Sequence, residues 1–279
     1  MTLRYRNFYA AQHALRAAFK TRAETVHPMT WQGMDVSRRP EMRSQELLME
    51  SFMIDLAGIT DLDHWRHDIR PNLPWADDHF EERVCGYPIN PGVEWENWPW
   101  ATSADKHRDE RGEFNHNYME RLWPRFAGYI KKTKTVAEWK EAAENPDHMM
   151  DFAVPHIGIR GEYGDLRRAV EKLAHDPLSR QIVVPLFFPE DTGANGRMPC
   201  TLLYQFIRRD DRLHIYYPLR SCDFVRHWAD DCYLAVRLLL WVLDKCVHYN
   251  EEAWKDVVPG TYTMHMSSLH VFENDRSHL

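Results

Sequence analysis

A long apolar segment towards the C-terminal end constrains the fold more than any other part of the sequence. The run from Cys232 to Cys246 is almost entirely apolar and is broken by Arg237 and Asp244. A helix that is apolar around its whole circumference must be buried on all sides. The segment 230–247 therefore predicts a central core helix, and its charged residues argue against a membrane span.

The spacing of apolar residues changes from helical to strand-like near residue 180. Predicted strands cover 180–188, 202–208, 213–219 and 260–272, with an acidic turn at 210–211 joining the middle two as a hairpin. Helices are predicted over 1–23, 44–56, 115–130, 135–144 and 163–175. The Trp- and Pro-rich stretch 61–112 is predicted to be an irregular excursion. Strands and helices without strict βαβ alternation, and without a linker between them, favour an α+β fold with one domain over 1–279.

Composition narrows the classes of function. The net charge of −7 argues against a protein that binds nucleic acid through bulk electrostatics, but it leaves room for a small phosphorylated ligand held by local arginines. The five cysteines are an odd number, which favours free thiols in a reducing compartment. The 16 histidines form no HExxH motif and the cysteines no CxxC motif, so no metal site is predicted. The N-terminus lacks the apolar stretch of a secretory signal, and a cytoplasmic location is expected.

Cys200 is the candidate nucleophile. It follows Pro199 and precedes Arg220 by twenty positions. The thiolate is the reactive form of cysteine, and a guanidinium beside it lowers the pKa of the thiol. The alternative is a buried structural thiol, which is the interpretation we keep for Cys222, Cys232 and Cys246.

Several sequence blocks resemble the thymidylate synthase family, and they occur in family order between about residues 40 and 275. The blocks are Glu46-Leu47-Leu48, Asn117-Tyr118, Asp176-Pro177-Leu178-Ser179-Arg180, Pro199-Cys200 with Tyr204-Gln205-Phe206, Arg220-Ser221-x-Asp223 and Ser268-Leu269-His270-Val271. The resemblance implies a mixed sheet packed against the central helix and a homodimer formed sheet to sheet.

The resemblance also implies roles for individual residues, with 5,10-methylenetetrahydrofolate as co-substrate. In the chemical steps, Cys200 attacks C6 of a pyrimidine, Glu46 organises protons and water, and Tyr118 handles the C5 proton. Arg220 and Ser221 hold the 5′-phosphate, and Arg180 reaches the phosphate of the other subunit. Asp223 binds the pterin, and His270 contacts the sugar. Synthases carry a second arginine where this chain has Gln181. Arg38, Arg39, Lys131 and Lys132 are the candidates to replace its charge.

Two residues resemble the deoxycytidylate hydroxymethylase branch instead of the synthases. Thr201 follows the nucleophile where synthases have histidine, and Asp231 stands where synthases have the asparagine that reads uracil. Cytosine presents an amino donor at C4 and an acceptor at N3, which a carboxyl group can satisfy and which the uracil pattern reverses. The expected reaction is therefore hydroxymethylation at C5 of a cytidylate, through a covalent adduct with Cys200 and addition of water.

The sugar and the product stay open at this stage. Phe272 stands where the family has tyrosine, which favours CMP over dCMP as substrate, and His227-Trp228 replaces a glycine-bearing turn. The product would enter nucleic acid or a nucleoside natural product such as an antibiotic. The alternatives are a synthase that methylates dUMP, a cytidylate 5-methylase, and a non-catalytic nucleotide- or RNA-binding homologue. Family members extend beyond the last motif, so a truncated C-terminus is also expected.

Overall fold

A mixed β-sheet forms the centre of the protein. The computed structural model describes residues 2–31, 33–102, 108–124, 164–193 and 196–279. The strands are β1 (Leu3–Tyr5), β2 (Glu24–Val26), β3 (Thr30–Trp31), β4 (Met34–Asp35), β5 (Ser44–Asp55), β6 (Val183–Pro185), β7 (Leu203–Arg209), β8 (Arg212–Leu219), β9 (Cys222–Asp223) and β10 (Val258–Phe272). The order across the main sheet is β1-β5-β10-β8-β7-β6, with β2 beside β5 and β9 beside β10, while β3 and β4 pair separately. Strand β10 runs antiparallel to β5 and parallel to β8.

Helix α6 is the central helix that the apolar run predicts. The helices are α1 (Phe8–Arg22), α2 (Leu62–Ile69), α3 (Trp75–Val84), α4 (Tyr118–Leu122), α5 (Leu166–His175), α6 (Trp228–Tyr249) and α7 (Glu251–Trp254). Twelve of the 22 side chains of α6 are buried, and the helix contacts α2, α3, α5 and strands β8 and β10. The α+β class with a mixed sheet on a buried helix is therefore confirmed. Among the residues described, no helix has both the length and the apolar character to cross a membrane.

The predicted helix over 44–56 is wrong, because this segment is the long strand β5. Buried Ser44, Leu47 and Glu50 lie three residues apart and imitate a helical period. An irregularity in the strand produces the second of these intervals: Met49 has a positive φ of 56° and is absent from the register with β10, whereas Leu48 and Glu50 are paired. Beyond this point burial alternates as in an ordinary half-buried strand.

The excursion over 61–112 is less irregular than predicted, since it contains helices α2 and α3. Asp61 caps α2 by accepting a hydrogen bond from the amide of Asp63 at 3.0 Å. Pro74 occupies the N-cap of α3, where a missing N–H costs nothing. The prolines therefore lie between the helices and at their starts, not inside them.

The remaining elements differ from prediction mainly at their ends. Helix α1 begins at Phe8, with Leu3–Tyr5 extended before it, and the strand predicted over 180–188 is reduced to Val183–Pro185. Of the helix predicted over 115–130 the structure describes Tyr118–Leu122, and the one over 135–144 lies outside the described residues.

A buried ion pair fixes the segment that leads to Cys200. Both guanidinium nitrogens of Arg121 in α4 donate to Asp191, at 2.6 and 2.8 Å, and Asp191 also accepts from the amide of Phe188 at 2.7 Å. Both side chains are only 10% exposed. Helix α4 begins at Tyr118, which lines the candidate site described below. The ion pair therefore links this helix to the chain that precedes Cys200.

Removing Asp191 should therefore destabilise the protein strongly. Asp191→Ala leaves a buried guanidinium unpaired, and we expect a loss of about 3–5 kcal/mol in the free energy of unfolding, measured with urea. The matched control is Glu171→Ala, which breaks the more exposed Arg167–Glu171 pair and should cost about 0.5 kcal/mol or less. Equal losses in the two variants would contradict this account.

Candidate active site

The hairpin of β7 and β8 places Cys200 beside Arg220. The amide of Leu202 donates to the carbonyl of Pro218 at 3.0 Å, and the amide of Arg220 donates to the carbonyl of Cys200 at 2.9 Å. The Arg220 guanidinium donates in turn to the carbonyls of Pro199 at 2.8 Å and Met198 at 2.9 Å. The twenty-residue spacing in the sequence thus becomes direct contact between neighbouring strands.

Two cavities meet at Cys200. We call them the outer cleft, of about 480 Å³, and the inner chamber, of about 130 Å³. Cys200, Arg220, Ser221 and Asp223 line both. The segments around the nucleophile therefore form the wall between two spaces, one open and one confined.

Strand pairing brings three of the sequence-predicted residues into the same row. His270 of β10 is in register with Glu46 of β5 on one side and with Asp223 of β9 on the other. All three line the outer cleft. The hydroxyl of Ser268 donates to Oε1 of Glu46, which fixes this carboxyl group against β10.

His270 is a neutral imidazole at physiological pH. Burial lowers its pKa to about 4 against the opposing effect of Glu46. Its Nδ1 lies 3.3 Å from the hydroxyl of Ser221. A neutral ring with one nitrogen directed at a hydroxyl suits hydrogen bonding to a polar ligand group better than charge pairing.

Tyr118 is held directly against the nucleophile. Its hydroxyl accepts hydrogen bonds from the amides of Cys200 at 3.2 Å and Thr201 at 3.3 Å. Burial raises the pKa of the Tyr118 phenol, so the group stays protonated. Tyr118 and Cys200 both line the inner chamber.

Asp231 lies in the first turn of α6 and also lines the inner chamber. Burial raises the pKa of its carboxyl group to about 7, with Arg83 lowering it and Asp230 raising it further. Both protonation states are therefore accessible near neutral pH. Asp230 is held differently, since both of its oxygens accept from Asn72 at 2.8 Å and anchor α6 to the loop before α3.

Arg220 alone does not give Cys200 a low pKa. Burial has the largest effect and raises the pKa of the thiol, and Asp231 adds to it, while Arg220 and Arg197 oppose it. Arg220 lowers the pKa of the thiol as expected, but the net direction is upward and not towards neutrality. The physical reason is that the desolvation of a buried thiolate outweighs the attraction of one guanidinium.

Thr201 lines neither cavity. It is 1% exposed, and its hydroxyl lies 3.0 Å from the hydroxyl of Tyr217 in the core. The Tyr217 hydroxyl in turn lowers the pKa of Asp231 through a hydrogen bond. Any effect of Thr201 on a ligand must therefore pass through its neighbours.

Asp223 is buried at the junction of the two cavities. Its Oδ1 accepts from the amides of Val225 at 3.0 Å and Arg226 at 3.1 Å. Burial raises its pKa to about 6, although the Arg226 side chain, 3.7 Å away, opposes this. Its second oxygen, Oδ2, is held less closely, at 3.7 Å from Nε of Arg226.

His227-Trp228, which replaces the glycine-bearing turn of the family, lies at the wall between the cavities. His227 lines both of them, with its ring centroid 4.8 Å from that of Trp98. Burial lowers the pKa of His227 to about 3. Trp228 is fully buried and packs against Phe52 and Phe224, so only the histidine of the pair faces the site.

The candidate phosphate-binding residues are only partly brought together. Arg180 is exposed and lines neither cavity, and Arg38 and Arg39 also lie away from both. Lys131 and Lys132 lie outside the described residues. The prediction that Arg180 serves a second subunit remains a prediction.

Sequence reasoning missed two arginines of the site. Arg83, on the buried face of α3, lines the inner chamber and lies 4.7 Å above the Tyr118 ring. Arg197 lines both cavities. A signal existed for Arg197, which lies three residues before Cys200, whereas Arg83 looks like any other helical arginine in the sequence.

Comparison with known proteins agrees with this geometry. The family model described as thymidylate synthase matches residues 93–278. The chain belongs to the thymidylate synthase family. The family transfers a one-carbon unit to a pyrimidine nucleotide with methylenetetrahydrofolate as co-substrate, so the resemblance stated above is confirmed at the level of the family.

Individual relatives show how far the likeness extends. Archaeal proteins named "Putative thymidylate synthase" match in part: that of Methanosarcina mazei is 31% identical over 181 residues, covering 60% of this chain and 78% of its own. That of Methanosarcina barkeri is 30% identical over 116 residues, covering 41% and 49%. The solved thermostable thymidylate synthase A of Bacillus subtilis superposes with a TM-score of 0.61 over 97% of this chain and 82% of its own. At 14% identity this last match shows the fold alone.

Proposed function

We propose that this protein hydroxymethylates C5 of cytidine 5′-monophosphate, with dCMP as the less favoured substrate. The observation that carries the proposal is the position of Asp231, a partly buried carboxyl group that lines the same small chamber as Cys200 and Tyr118. Desolvation there raises its pKa to about 7. The branch, the substrate and the residue roles are inferences from this geometry and from family membership.

The protonated form of Asp231 matches the edge of cytosine. Its O–H can donate to N3, and its other oxygen can accept from the 4-amino group. Uracil would instead present an N3 donor and an O4 acceptor. The ionised form of Asp231 would set a carboxylate oxygen against uracil O4, and two opposed acceptors in a dry site cost about 1–3 kcal/mol or more. A site built on such groups discriminates strongly between bases.

The residues around the base have complementary roles. The sulfur of Cys200 bonds to C6, which makes C5 nucleophilic, and this bond breaks again at the end of the cycle. Tyr118, whose phenol stays protonated, handles the C5 proton through water that it orients. Glu46 orients the water whose hydroxyl ends on the new carbon. The co-substrate 5,10-methylenetetrahydrofolate would supply the one-carbon unit to C5. Its carbon–nitrogen bond would break, tetrahydrofolate would leave, and water would add to the exocyclic methylene.

The remaining cleft residues fit the other parts of the ligands. Arg220 and Ser221 are placed to bind the 5′-phosphate, because Arg220 keeps donors beyond the two hydrogen bonds that it makes to the backbone. Asp223, a carboxyl group on a residue that lines both cavities, fits the donor groups of a pterin. Arg180, exposed on this chain, is assigned to the phosphate of a second subunit in a homodimer.

One assay with several nucleotides tests the proposal. The protein is incubated with methylenetetrahydrofolate and CMP, dCMP or dUMP, and products are separated by chromatography and mass. We expect 5-hydroxymethyl-CMP as the main product without the absorbance rise of dihydrofolate. Exclusive conversion of dUMP to dTMP with dihydrofolate would establish a synthase instead, and a 5-methylcytidylate would establish a methylase. Absence of any C5 hydrogen exchange would indicate a non-catalytic homologue.

Phe272 is expected to set the sugar preference. It lines the outer cleft with its ring 5.2 Å from that of His270 and brings no hydroxyl to the sugar pocket. Phe272→Tyr adds an oxygen where a 2′-hydroxyl needs room, so we expect the ratio of kcat/KM for CMP over dCMP to fall about tenfold. Phe272→Leu is the control, since it should impair both nucleotides alike. An unchanged ratio in Phe272→Tyr would remove Phe272 from sugar selection.

A further inference from the structure

Arg197 is a partly buried cation without an acidic partner in the described part of the chain. Its guanidinium lies 5.0 Å from the ring of Trp95 and 5.1 Å from that of Phe114, which hold it between two aromatic faces. Its backbone carbonyl accepts hydrogen bonds from the side chains of Asn115 and His116, at 2.5 and 3.1 Å. The residue is thus fixed at both its backbone and its charged end.

The charge of Arg197 is not paired with a carboxylate in the described residues, in contrast to the charges of Arg121 and Arg237. Arg121 pairs with Asp191 at 2.6 Å, and Arg237 pairs with Asp77 at 2.6 Å. Among described residues, the groups that interact with the Arg197 charge and can become anionic are the thiol of Cys200 and the phenol of Tyr118. Burial lowers the pKa of Arg197, which shows that holding this cation here is unfavourable by itself.

The two arginines beside the nucleophile have different hydrogen-bonding commitments. Arg220 donates to the carbonyls of Met198 and Pro199 and so holds the backbone of the segment. Arg197 makes no such backbone contact with its guanidinium in the described residues, and it lines the same two cavities as Cys200. Its charge therefore borders the same spaces as the Cys200 thiol and interacts with it.

We propose that Arg197 stabilises the thiolate of Cys200 and thereby supplies the second positive charge that the nucleophile needs. In the step concerned, the S–H bond breaks, the proton passes to solvent and the electron pair stays on sulfur. The groups that face the thiol are then Arg197 and Arg220, which favour the thiolate, and Asp231 and Asp223, which oppose it.

A second arginine is needed because Arg220 alone cannot both bind phosphate and stabilise the thiolate of Cys200. In the proposed function, Arg220 binds the 5′-phosphate, and its charge is then largely neutralised when the thiolate must attack. Arg197 remains as the cation at the sulfur. Only this last argument rests on the proposed function, because the ionisation of the thiol can be measured without nucleotide or folate.

The test is the pH dependence of alkylation of Cys200 by iodoacetamide, in a Cys85→Ser background because Cys85 is the exposed thiol among the five. Rates are followed by rapid mixing and mass spectrometry from about pH 7 to about pH 10.5, a range that brackets a thiol of raised pKa. We expect Arg197→Met to raise the midpoint by about one pH unit, so that the thiolate fraction at neutral pH falls about tenfold. Arg197→Lys should keep most of the effect.

The matched control is Arg108→Met. Arg108 lies 5.2 Å from the same Phe114 ring but lines neither cavity, so its removal should leave the midpoint unchanged. A change in reagent access would scale the whole curve without moving the midpoint, and that outcome would overturn the proposal, as would equal midpoints in wild type and Arg197→Met. If Arg197→Met fails to fold, Arg197→Gln and Arg197→Lys are compared in the same way, and equal midpoints for these two would overturn it.

Discussion

Cys200→Ser is expected to abolish turnover of CMP and exchange of its C5 hydrogen with solvent, with a loss of at least about a thousandfold in kcat. A serine hydroxyl ionises far less readily than a thiol, and the burial that already raises the pKa of Cys200 penalises an alkoxide further. The contacts that organise this segment use the backbone of Cys200: its carbonyl accepts from Arg220, and its amide donates to Tyr118. The substitution should therefore remove the chemistry and leave the fold intact.

Exchange is measured by the release of tritium from [5-³H]CMP, and nucleotide binding is measured separately by calorimetry. Binding should persist in Cys200→Ser, because Arg220, Ser221 and His270 are unchanged. Cys85→Ser is the control, since Cys85 is exposed and away from both cavities. Tritium release at the wild-type rate in Cys200→Ser would eliminate Cys200 as the nucleophile.

Asp231→Asn is expected to reverse the preference between cytosine and uracil nucleotides. The amide removes the O–H donor for N3 of cytosine and sets an amide N–H₂ against its amino group, while uracil gains both of its hydrogen bonds. With about 1–3 kcal/mol for each unsatisfied or newly satisfied buried group, the ratio of kcat/KM should shift by about 10²–10⁴-fold. The assay compares CMP with UMP, and dCMP with dUMP, by C5 tritium release.

Asp230→Asn is the matched control for that change. It removes one charge from the same turn of α6, but Asp230 is engaged with Asn72. Base preference should therefore stay with cytosine, even though the loss of a neighbouring negative charge lowers the pKa of Asp231. Unchanged base preference in Asp231→Asn would reduce the assignment to the family alone.

The titration of Asp231 also predicts a pH dependence. Its protonated form is the one that can donate to N3, so kcat/KM for CMP should decline as pH rises through about 7, once the rising thiolate fraction of Cys200 is divided out. The same raised pKa means that ionisation opposes folding: this destabilisation is absent below 3.8 and grows until about pH 7. Asp231→Asn should lack both effects, as measured by pH-rate profiles and by urea unfolding at several pH values.

The sequence by itself determined the parts of the fold that follow from local patterns. The apolar run of 230–247 could only be a buried helix, and the strands on either side of the 210–211 turn had to pair as a hairpin. That hairpin fixed the contact of Cys200 with Arg220, because antiparallel pairing across a short turn leaves little freedom of register. The motif blocks then gave the family.

Tertiary structure decided what depends on distant segments. Whether Ser44–Asp55 is a helix or a strand could not be read locally, since the irregularity at Met49 imitates a helical period and only pairing with β10 resolves it. The balance of charge and burial at Cys200 arises from elements far apart in the chain, including Asp231 in α6. Desolvation is a property of the assembled core, so no sequence pattern shows that it outweighs the effect of Arg220 on the thiol.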